Sequence, residues 1–387
     1  MITRLRSAEN SIYKLHNQIK HYEWGSFEDI PAFLGLENRE GLPWAEMWMG
    51  THSGAPSRVY PDNEKKLINL ADVCGGHLPF LFKLIAAGKP LSIQAHPNLA
   101  QAAEGFKREE DLGIAIDAPN RNYKDPNHKP EILCAITPFT VMAGFRTNEE
   151  IKSFFEALMR ASPFLKETFS SLLRALDAPS LAGFFRALFQ LTERERKNIC
   201  SFLLENETCE SIPQELWKLM GSFASQYPHD AAVISPLYLN VFTLERGEAV
   251  FVPAGVLHAY ISGFGVELMA SSDNVLRGGL TPKHVDIGEL MNILDFNPFM
   301  PPVFPPSCES FFRYPAPCND FSLFFIRGNG DEKTFPVKGP AICIVTEGEL
   351  HSGDSVFKKG ESFFIPCDKS PPVFGGNYSL FAASSAV

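Results

Sequence analysis

The chain has 387 residues, a length that accommodates two or three domains with buried cores. Its 45 acidic against 35 basic residues give a formal net charge of −10, which excludes the broad basic surface that nucleic-acid binding requires. With 45% hydrophobic and 21% charged residues the composition is globular rather than disordered, and 33 Phe with 30 Pro and 28 Gly favour short strands joined by frequent turns.

The first two predicted regions differ in their apolar spacing. Residues 10–146 contain short apolar runs cut by Gly and Pro, which is typical of β-structure. At Thr147 the pattern changes, because Thr147 and Glu150 have the spacing of a capping box. Apolar residues then follow at helical spacing: Ile151, Phe154, Phe155, Leu158 and Met159. Similar spacing recurs downstream and predicts an insert of four or five helices over 147–226, whose role we interpret as packing.

From about residue 227 the β pattern resumes and contains an internal repeat. The run GEAVFVP at Gly247–Pro253 is matched by GESFFIP at Gly360–Pro366. Each copy has a Gly turn, a short strand and a Pro, and two copies of a β-barrel hairpin are the simplest explanation. The proline-rich stretch 298–306 lies between the copies and is predicted to be a linker.

Other features of the chain bear on its compartment. Residues 1–10 carry charges with no apolar segment behind them, so we expect no signal peptide. The most apolar stretch, 78–93, contains two lysines and is too short to span a bilayer. The eight Cys form neither a C-x-x-C pair nor a zinc-ligand spacing, so we expect reduced thiols. These features predict a cytoplasmic protein without nucleic-acid or membrane partners, and we expect a monomer, with a dimer left open.

Two short motifs carry candidate metal ligands. His258 follows the first repeat copy with the spacing Gly247-x5-Pro253-x-Gly255-x2-His258, which resembles the second signature of the cupin barrel, whose His points toward a metal. The second copy has no His at the corresponding position, so only the first barrel is predicted to bind metal. In the run SIQAHP at 92–97, Gln94 and His96 are separated by one residue. Their side chains therefore lie on the same face of a strand, where both can reach one ion.

Two further segments are unusually polar for their position. Glu131 follows the proline-fixed segment YKDPNHKP and precedes an apolar run, and Lys129 lies on the same side of this segment. Burying a carboxylate is costly unless it is paired or bound to a metal. The segment 258–283 combines glycines with charged and amide side chains, and we interpret it as the lining of a site for a polar, anionic ligand.

The longest runs resemble a known family. YKDPNHKPE at 123–131 and HAYISGFGVELMASSDNVLRGGLTPK at 258–283 resemble the two signatures of the type I mannose-6-phosphate isomerases. YEWGS at 22–26, LPFLFK at 78–83 and SIQAHP support the resemblance, which covers almost the whole chain. One departure is Gly278, where the family usually has Ala after its signature Arg.

The resemblance implies a mainly β protein with two cupin (jelly-roll) barrels and a helical domain. Residues 10–146 together with 227–297 would form the metal-binding barrel, and 147–226 the helical insert. Residues 298–387 would form a second barrel that lacks metal ligands, against which residues 1–10 are expected to pack.

The implied activity is a zinc-dependent interconversion of mannose 6-phosphate and fructose 6-phosphate, with one Zn²⁺ per chain and a small phosphosugar as substrate. The family's metal ligands correspond to four residues already selected by their chemistry, Gln94, His96, Glu131 and His258. The family's active-site arginine corresponds to Arg277. Three residues in or beside the motifs are expected to contact phosphate: Lys83, Ser92 and Lys283. Trp24 is expected either to contact the sugar or to pack in the core.

The reaction moves a proton between C2 and C1 through an enediol(ate), so it needs a base and a positive charge near the developing oxyanion. His128 or Asp273 is expected to move the proton of ring opening. Three candidates for the base remain open from the sequence: Lys129, Glu267 and a zinc-bound water.

Two other functions fit parts of the same pattern. His96, Glu131 and His258 also match the two-His-one-carboxylate set of cupin non-haem Fe(II) oxygenases. A sugar-phosphate-binding cupin without catalysis would need the same pocket. A fourth ligand at Gln94 and basic residues suited to phosphate favour the isomerase over the oxygenase.

Overall fold

The computed structural model describes residues 12–60, 66–176, 180–367 and 370–385. The expectation about residues 1–10 lies outside this described part. The strands are β1 (Tyr13–Lys14), β2 (Gln18–Lys20), β3 (Glu46–Met49), β4 (Arg58–Val59), β5 (Ile68–Asn69), β6 (Phe80–Ala87), β7 (Ile93–Ala95), β8 (Glu131–Ala135), β9 (Phe139–Phe145), β10 (Leu239–Leu244), β11 (Ala249–Val252), β12 (His258–Ala270), β13 (Leu276–Gly279), β14 (Val303–Phe304), β15 (Phe311–Arg313), β16 (Ser322–Thr334), β17 (Ala341–Ser352), β18 (Ser355–Lys358), β19 (Ser362–Ile365) and β20 (Val373–Ser384).

The helices are α1 (Asp29–Leu34), α2 (Leu70–Cys74), α3 (Leu99–Asp111), α4 (Asn148–Ala161), α5 (Lys166–Leu176), α6 (Ala182–Phe189), α7 (Glu193–Glu205), α8 (Gln214–Gln226) and α9 (Ile287–Ile293), with 3₁₀ turns at Pro163–Leu165 and Ala231–Leu237. The protein is therefore mainly β with a run of helices between β9 and β10, as the sequence predicts. Among the described residues, no helix is both long and apolar enough to cross a bilayer.

The larger sheet has eleven antiparallel strands, with a main order β14-β11-β8-β12-β6-β3-β2 to which β7, β9, β10 and β13 are added. Its longest strand, β12, pairs with β7 and β9 near its start and with β6 and β8 further on, and the register with β9 shifts between Tyr260 and Ser262. Nearly all of β12 is buried, because strands cover both of its edges and other elements cover its faces. One strand therefore links the elements that carry the candidate ligands.

The helical region is built as its capping and apolar spacing predict. The Thr147 hydroxyl accepts from the Glu150 amide, and the Glu150 carboxylate accepts from the Thr147 amide, so α4 begins with a full capping box. Phe155 packs edge-to-face against both Phe169 and Phe184, with ring centroids 5.5 Å apart in each pair. Part of the Phe excess thus forms the core between these helices, where aromatic pairs add about 0.5–1.5 kcal/mol each beyond area burial.

The smaller sheet has seven strands and contains the second copy of the internal repeat. Gly247 and Gly360 both have a positive φ, +83° and +87°, which favours glycine. In the first turn the Glu248 carboxylate accepts from the Glu245 amide, and in the second the Glu361 carboxylate accepts from the Lys358 amide. The repeat therefore reflects two turns of the same construction that lead into β11 and β19.

The two sheets share one hydrophobic core. It contains Phe82, Leu84 and Val266 from the larger sheet together with Ile342 and Phe381 from the smaller sheet, all nearly or fully buried. The proline-rich segment adds β14 to the larger sheet, while β1 pairs with β19 in the smaller one. All eight cysteines are free thiols.

Candidate metal centre

Three side chains converge inside the larger sheet. One atom each of His96, Glu131 and His258 lies within 4.8 Å of the others, and all three residues are at most 1% exposed. His96 Nε2 is 3.2 Å from Glu131 Oε1, and His258 Nε2 is 3.4 Å from Glu131 Oε2. His96 directly follows β7, Glu131 begins β8 and His258 begins β12, so strand ends that meet in the fold bring together residues distant in sequence.

The hydrogen bonds of the two imidazoles define which nitrogen faces the carboxylate. His96 Nδ1 is 2.7 Å from the Asn274 carbonyl oxygen, and His258 Nδ1 is 3.0 Å from the Val256 carbonyl oxygen. A carbonyl only accepts, so each Nδ1 carries the hydrogen and each Nε2 of a neutral ring has a lone pair. Among the described residues neither Nε2 has a hydrogen-bond partner, and both face the oxygens of Glu131.

The protonation states agree with a metal-binding set. Burial lowers the pKa of His96 to about 4, although Glu131 opposes this shift, so the ring is neutral near pH 7. Burial favours the neutral form of Glu131, but Lys129 and His96 more than offset it and hold the pKa of that carboxyl well below its usual range. Two imidazole lone pairs facing a carboxylate repel it unless a cation lies between them. The donor set therefore fits a bound Zn²⁺.

Gln94 is placed beside these residues by the register of three adjacent strands. It lies directly opposite His258 on β12 and directly opposite Arg277 on β13. Directly opposite residues of antiparallel strands project to the same face. Gln94, His258 and Arg277 therefore share one face of the sheet.

The positive charges of three residues act on one another near this face. Burial lowers the pKa of Arg277, and no carboxylate of the described residues opposes that shift. Burial, and then the positive charges of Arg277 and Lys124, lower the pKa of Lys283. Uncompensated cations that raise one another's energy are suited to an anionic ligand. Lys124 lies in the run YKDPNHKPE, but no feature of the sequence signalled a role for it.

A buried amide organises the loop beside the candidate ligands. Asn274 is fully buried, and its Oδ1 accepts from the amides of Lys124 and Asp125 at 2.7 and 3.2 Å. Its Nδ2 donates to the carbonyl oxygens of Asp125 and Asn127 at 2.7 and 2.9 Å. Since its own carbonyl accepts from His96, Asn274 connects this loop to the metal centre. Sequence reasoning missed this role, and the only signal was its place in the polar segment 258–283.

Two predicted site residues form one buried ion cluster. Lys83 Nζ lies 2.7 Å from a Glu267 carboxylate oxygen and 3.3 Å from one of Glu46, and all three side chains are at most 8% exposed. Burial disfavours the Lys83 ammonium, but the two carboxylates more than offset this and raise its pKa. Burial raises the pKa of Glu267, and Lys83 opposes that shift. Trp48 Nε1 donates to the other oxygen of Glu46 at 2.7 Å, which completes the cluster.

The remaining predicted residues have identifiable surroundings. His128 Nε2 is 2.8 Å from Asp320, a residue of the smaller-sheet half of the chain. Asp273 is 3.4 Å from His52 Nε2, and a hydrogen bond from that His lowers its pKa despite partial burial. Trp24 is half-buried and stacks on Tyr22 at a centroid distance of 5.7 Å.

Lys129 is 3.2 Å from Glu131 Oε1 and 8% exposed. Ser92 is half-buried just before β7, and Lys283 follows β13.

A buried His–Glu–His set inside an antiparallel β-sheet defines a metal-binding β protein, and the positive charges of Arg277, Lys283 and Lys124 suit an anionic ligand. Comparisons with known proteins identify the family. Residues 12–148 match the family model of the phosphomannose isomerase type I catalytic domain. The chain is 37% identical over 391 aligned residues to the mannose-6-phosphate isomerase of Escherichia coli, covering 95% of this chain and 98% of that protein. It is 33% identical to mannose-6-phosphate isomerase 2 of Arabidopsis thaliana, over 92% and 89% of the two chains.

Solved structures give the same result. A zinc-bound mannose 6-phosphate isomerase superposes with a TM-score of 0.87 at 34% identity, covering 98% of this chain and 100% of that one. A point mutant of phosphomannose isomerase from Salmonella typhimurium superposes with a TM-score of 0.88 at the same identity and coverage. The chain belongs to the type I phosphomannose isomerase family.

Proposed function

We propose that this protein is a zinc-dependent aldose–ketose isomerase that interconverts mannose 6-phosphate and fructose 6-phosphate. The observation that carries the proposal is that the lone-pair-bearing Nε2 atoms of His96 and His258 face the Glu131 carboxylate in a buried site and have no hydrogen-bond partner in the described part of the chain. The similarity to mannose-6-phosphate isomerases over almost the whole chain supports isomerisation as the reaction.

His96, Glu131 and His258, together with Gln94, would hold the Zn²⁺. When bound, the ion supplies a Lewis acid that polarises the sugar oxygens at C1 and C2. The Nδ1 hydrogen bonds of the two imidazoles fix their ring orientation, and such supporting contacts commonly set metal affinity.

The phosphate would bind at the three neighbouring cations. Arg277, Lys283 and Lys124 contribute positive charge at one side of the face that carries Gln94 and His258. Binding energy from the phosphate, which does not react, can orient C1 and C2 against the reacting groups. Ser92 remains a proposed further phosphate contact beside β7. Trp24 remains a proposed packing partner of the sugar or of the core.

Asp273 is the better candidate for the proton transfer of ring opening. A hydrogen bond from His52 lowers the pKa of its carboxyl, and the positive charges of Lys129 and Lys124 lower it further. An ionised carboxylate can accept the hydroxyl proton of the closed sugar. His128 instead contacts Asp320, and we propose that it links the loop 124–129 to the smaller-sheet half.

For the proton transfer between C2 and C1, Lys129 and Glu267 remain the two candidates among the side chains. Lys83 is ion-paired with Glu267, so we propose that Lys83 positions the Glu267 carboxylate and makes no direct phosphate contact. Tyr260 donates a hydrogen bond to Glu131 at 3.2 Å and belongs to the same strand as Glu267.

The division into units is also proposed. Residues 10–146 with 227–297 would form the metal-binding cupin barrel, 147–226 the helical insert and 298–387 the second barrel. The strand pairings support this division except at β14 and β1, which each pair in the other unit's sheet. We further propose that the protein is a cytoplasmic monomer without nucleic-acid partners, which size-exclusion chromatography and a nucleic-acid binding assay would check.

A coupled assay on mannose 6-phosphate, before and after zinc removal, tests the function. We expect turnover that is lost with chelator and restored by Zn²⁺, together with exchange of the C2 proton in D₂O. Oxygen consumption with Fe(II) and no isomerisation would indicate the oxygenase instead. Tight substrate binding without proton exchange would indicate a non-catalytic cupin.

A further inference from the structure

A second cavity of about 530 Å³ lies between the two sheets and contains none of the candidate ligands or phosphate contacts. Ala135 and Ile136, at the end of β8, form part of its wall on the side of the larger sheet. Phe325, Thr346 and Phe381 form part of its wall on the side of the smaller sheet. A volume in the range of 300–1,000 Å³ is typical of small-molecule sites.

The apolar part of the cavity is aromatic. Phe325 and Phe381 contact each other with ring centroids 5.1 Å apart, and Tyr314 stacks on Phe381 at 6.4 Å. Tyr314 is held in place because its hydroxyl donates to the Gly247 carbonyl oxygen at 2.9 Å. Aromatic rings fixed at the wall of a cavity favour a planar ring as ligand.

The polar part of the cavity is basic. Among its charged lining residues, Arg246, Arg327 and Lys359 are cations and Glu347 is the carboxylate, so three positive charges against one negative charge leave +2. Arg246 forms an ion pair with Glu347. Arg327 and Lys359 form no ion pair with any described carboxylate and lie over the rings of Phe325 and Phe33, at 4.9 and 5.4 Å from their centroids.

This local charge is notable because the whole chain carries −10. The fixed aromatic rings suit a planar base, and the cations without an ion-pair partner suit a phosphate. Together they match the two parts of one ligand. The cavity is also separate from the metal centre. Glu131 and Ala135 are at opposite ends of β8, about 13 Å apart at ~3.3 Å per residue.

We propose that this cavity is a second ligand site that binds a nucleoside monophosphate. The base would stack against Phe325 and Phe381, and the phosphate would pair with Arg327 and Lys359. The site would be distinct from the one that binds the phosphosugar, so the proposal does not depend on which sugar phosphate is the substrate.

The test is calorimetric titration of the zinc-loaded enzyme with adenosine, guanosine and uridine 5′-monophosphates. Ribose 5-phosphate, which lacks the base, and guanosine, which lacks the phosphate, are titrated in parallel. We expect at least one nucleotide to bind one per chain with Kd below about 1 mM, and both partial ligands to bind at least about tenfold more weakly. Excess mannose 6-phosphate should not displace the nucleotide.

Arg327→Gln and Phe325→Leu should each weaken nucleotide binding by about tenfold or more. Arg313→Gln is the matched control, since Arg313 is an exposed arginine of the same sheet that does not line the cavity, and its variant should bind normally. Isomerase activity and the melting temperature of each variant verify that it is folded. Three results would overturn the proposal: no saturable binding of any nucleotide, displacement by mannose 6-phosphate, or full binding by Arg327→Gln.

Discussion

Replacing Asn274 by Ala tests how the metal centre is held, because the change leaves every candidate ligand intact. The side chain forms four hydrogen bonds with backbone groups of residues 124, 125 and 127 at 2.7–3.2 Å. At about 1 kcal/mol of net stabilisation per bond, their loss amounts to about 4 kcal/mol. Water can reach some of the released groups, because Lys124 is exposed and Asp125 is only partly buried, so we expect a loss of about 2–4 kcal/mol in the free energy of unfolding.

Zinc affinity should fall as well. The Asn274 carbonyl oxygen orients His96, and once the side chain no longer anchors this segment, the imidazole loses its fixed direction. Changes in such supporting contacts commonly cost about 10–100-fold in metal affinity. Competition with a chromophoric chelator measures the zinc affinity, and urea unfolding of the zinc-loaded protein measures the stability.

Asn297→Ala serves as the control for this experiment. Asn297 is exposed, and within the described segments its side chain bonds only to the neighbouring Asp295, so both measurements should stay near the wild-type values. Our account of Asn274 would be refuted by an Asn274→Ala protein that keeps wild-type zinc affinity and unfolds within about 0.5 kcal/mol of wild type.

Other variants test individual roles. Arg277→Ala should lower kcat by about 100-fold or more while zinc content stays at one per chain, because a fixed charge near the substrate is lost and every metal ligand remains. Metal analysis together with kinetics checks this prediction, and wild-type turnover would contradict it. Glu131→Ala should lose zinc and activity together, and one equivalent of zinc still bound would remove Glu131 from the ligand set. Gly278→Ala should stay active and lose no more than about 1–3 kcal/mol of stability, because the three atoms nearest to the added Cβ all belong to side chains, the closest being Leu257 Cδ2 at 3.0 Å. A large loss of stability in a thermal melt would show that these side chains cannot shift.

Features that depend on neighbouring residues were predictable from the sequence. The capping box of Thr147 and Glu150 and the helical spacing after it were confirmed in α4, because a helix is specified by contacts three and four residues apart. The repeated turns at Gly247 and Gly360 were confirmed for the same reason, since each turn is specified by a short local pattern. The grouping of His96, Glu131 and His258 also agreed with the motifs, which carry the family resemblance.

The tertiary structure alone decided which charged groups pair with each other. Lys83 and Glu267 are 184 residues apart in the chain, and only the register of β6 against β12 places them opposite each other. That pairing places both side chains in a buried ion cluster, which no sequence motif indicated. The contact of His128 with Asp320 likewise depends on how the two sheet regions pack.

The sequence by itself thus determined the class of chemistry, because metal ligands and helix signals are carried by residue type and short spacing. It did not determine the cavity between the sheets or the position of Arg277 beside Gln94, which arise from packing between distant segments. The physical reason is the same in both cases. Burial and strand register decide which atoms lie within hydrogen-bond distance, and both are properties of the folded chain as a whole.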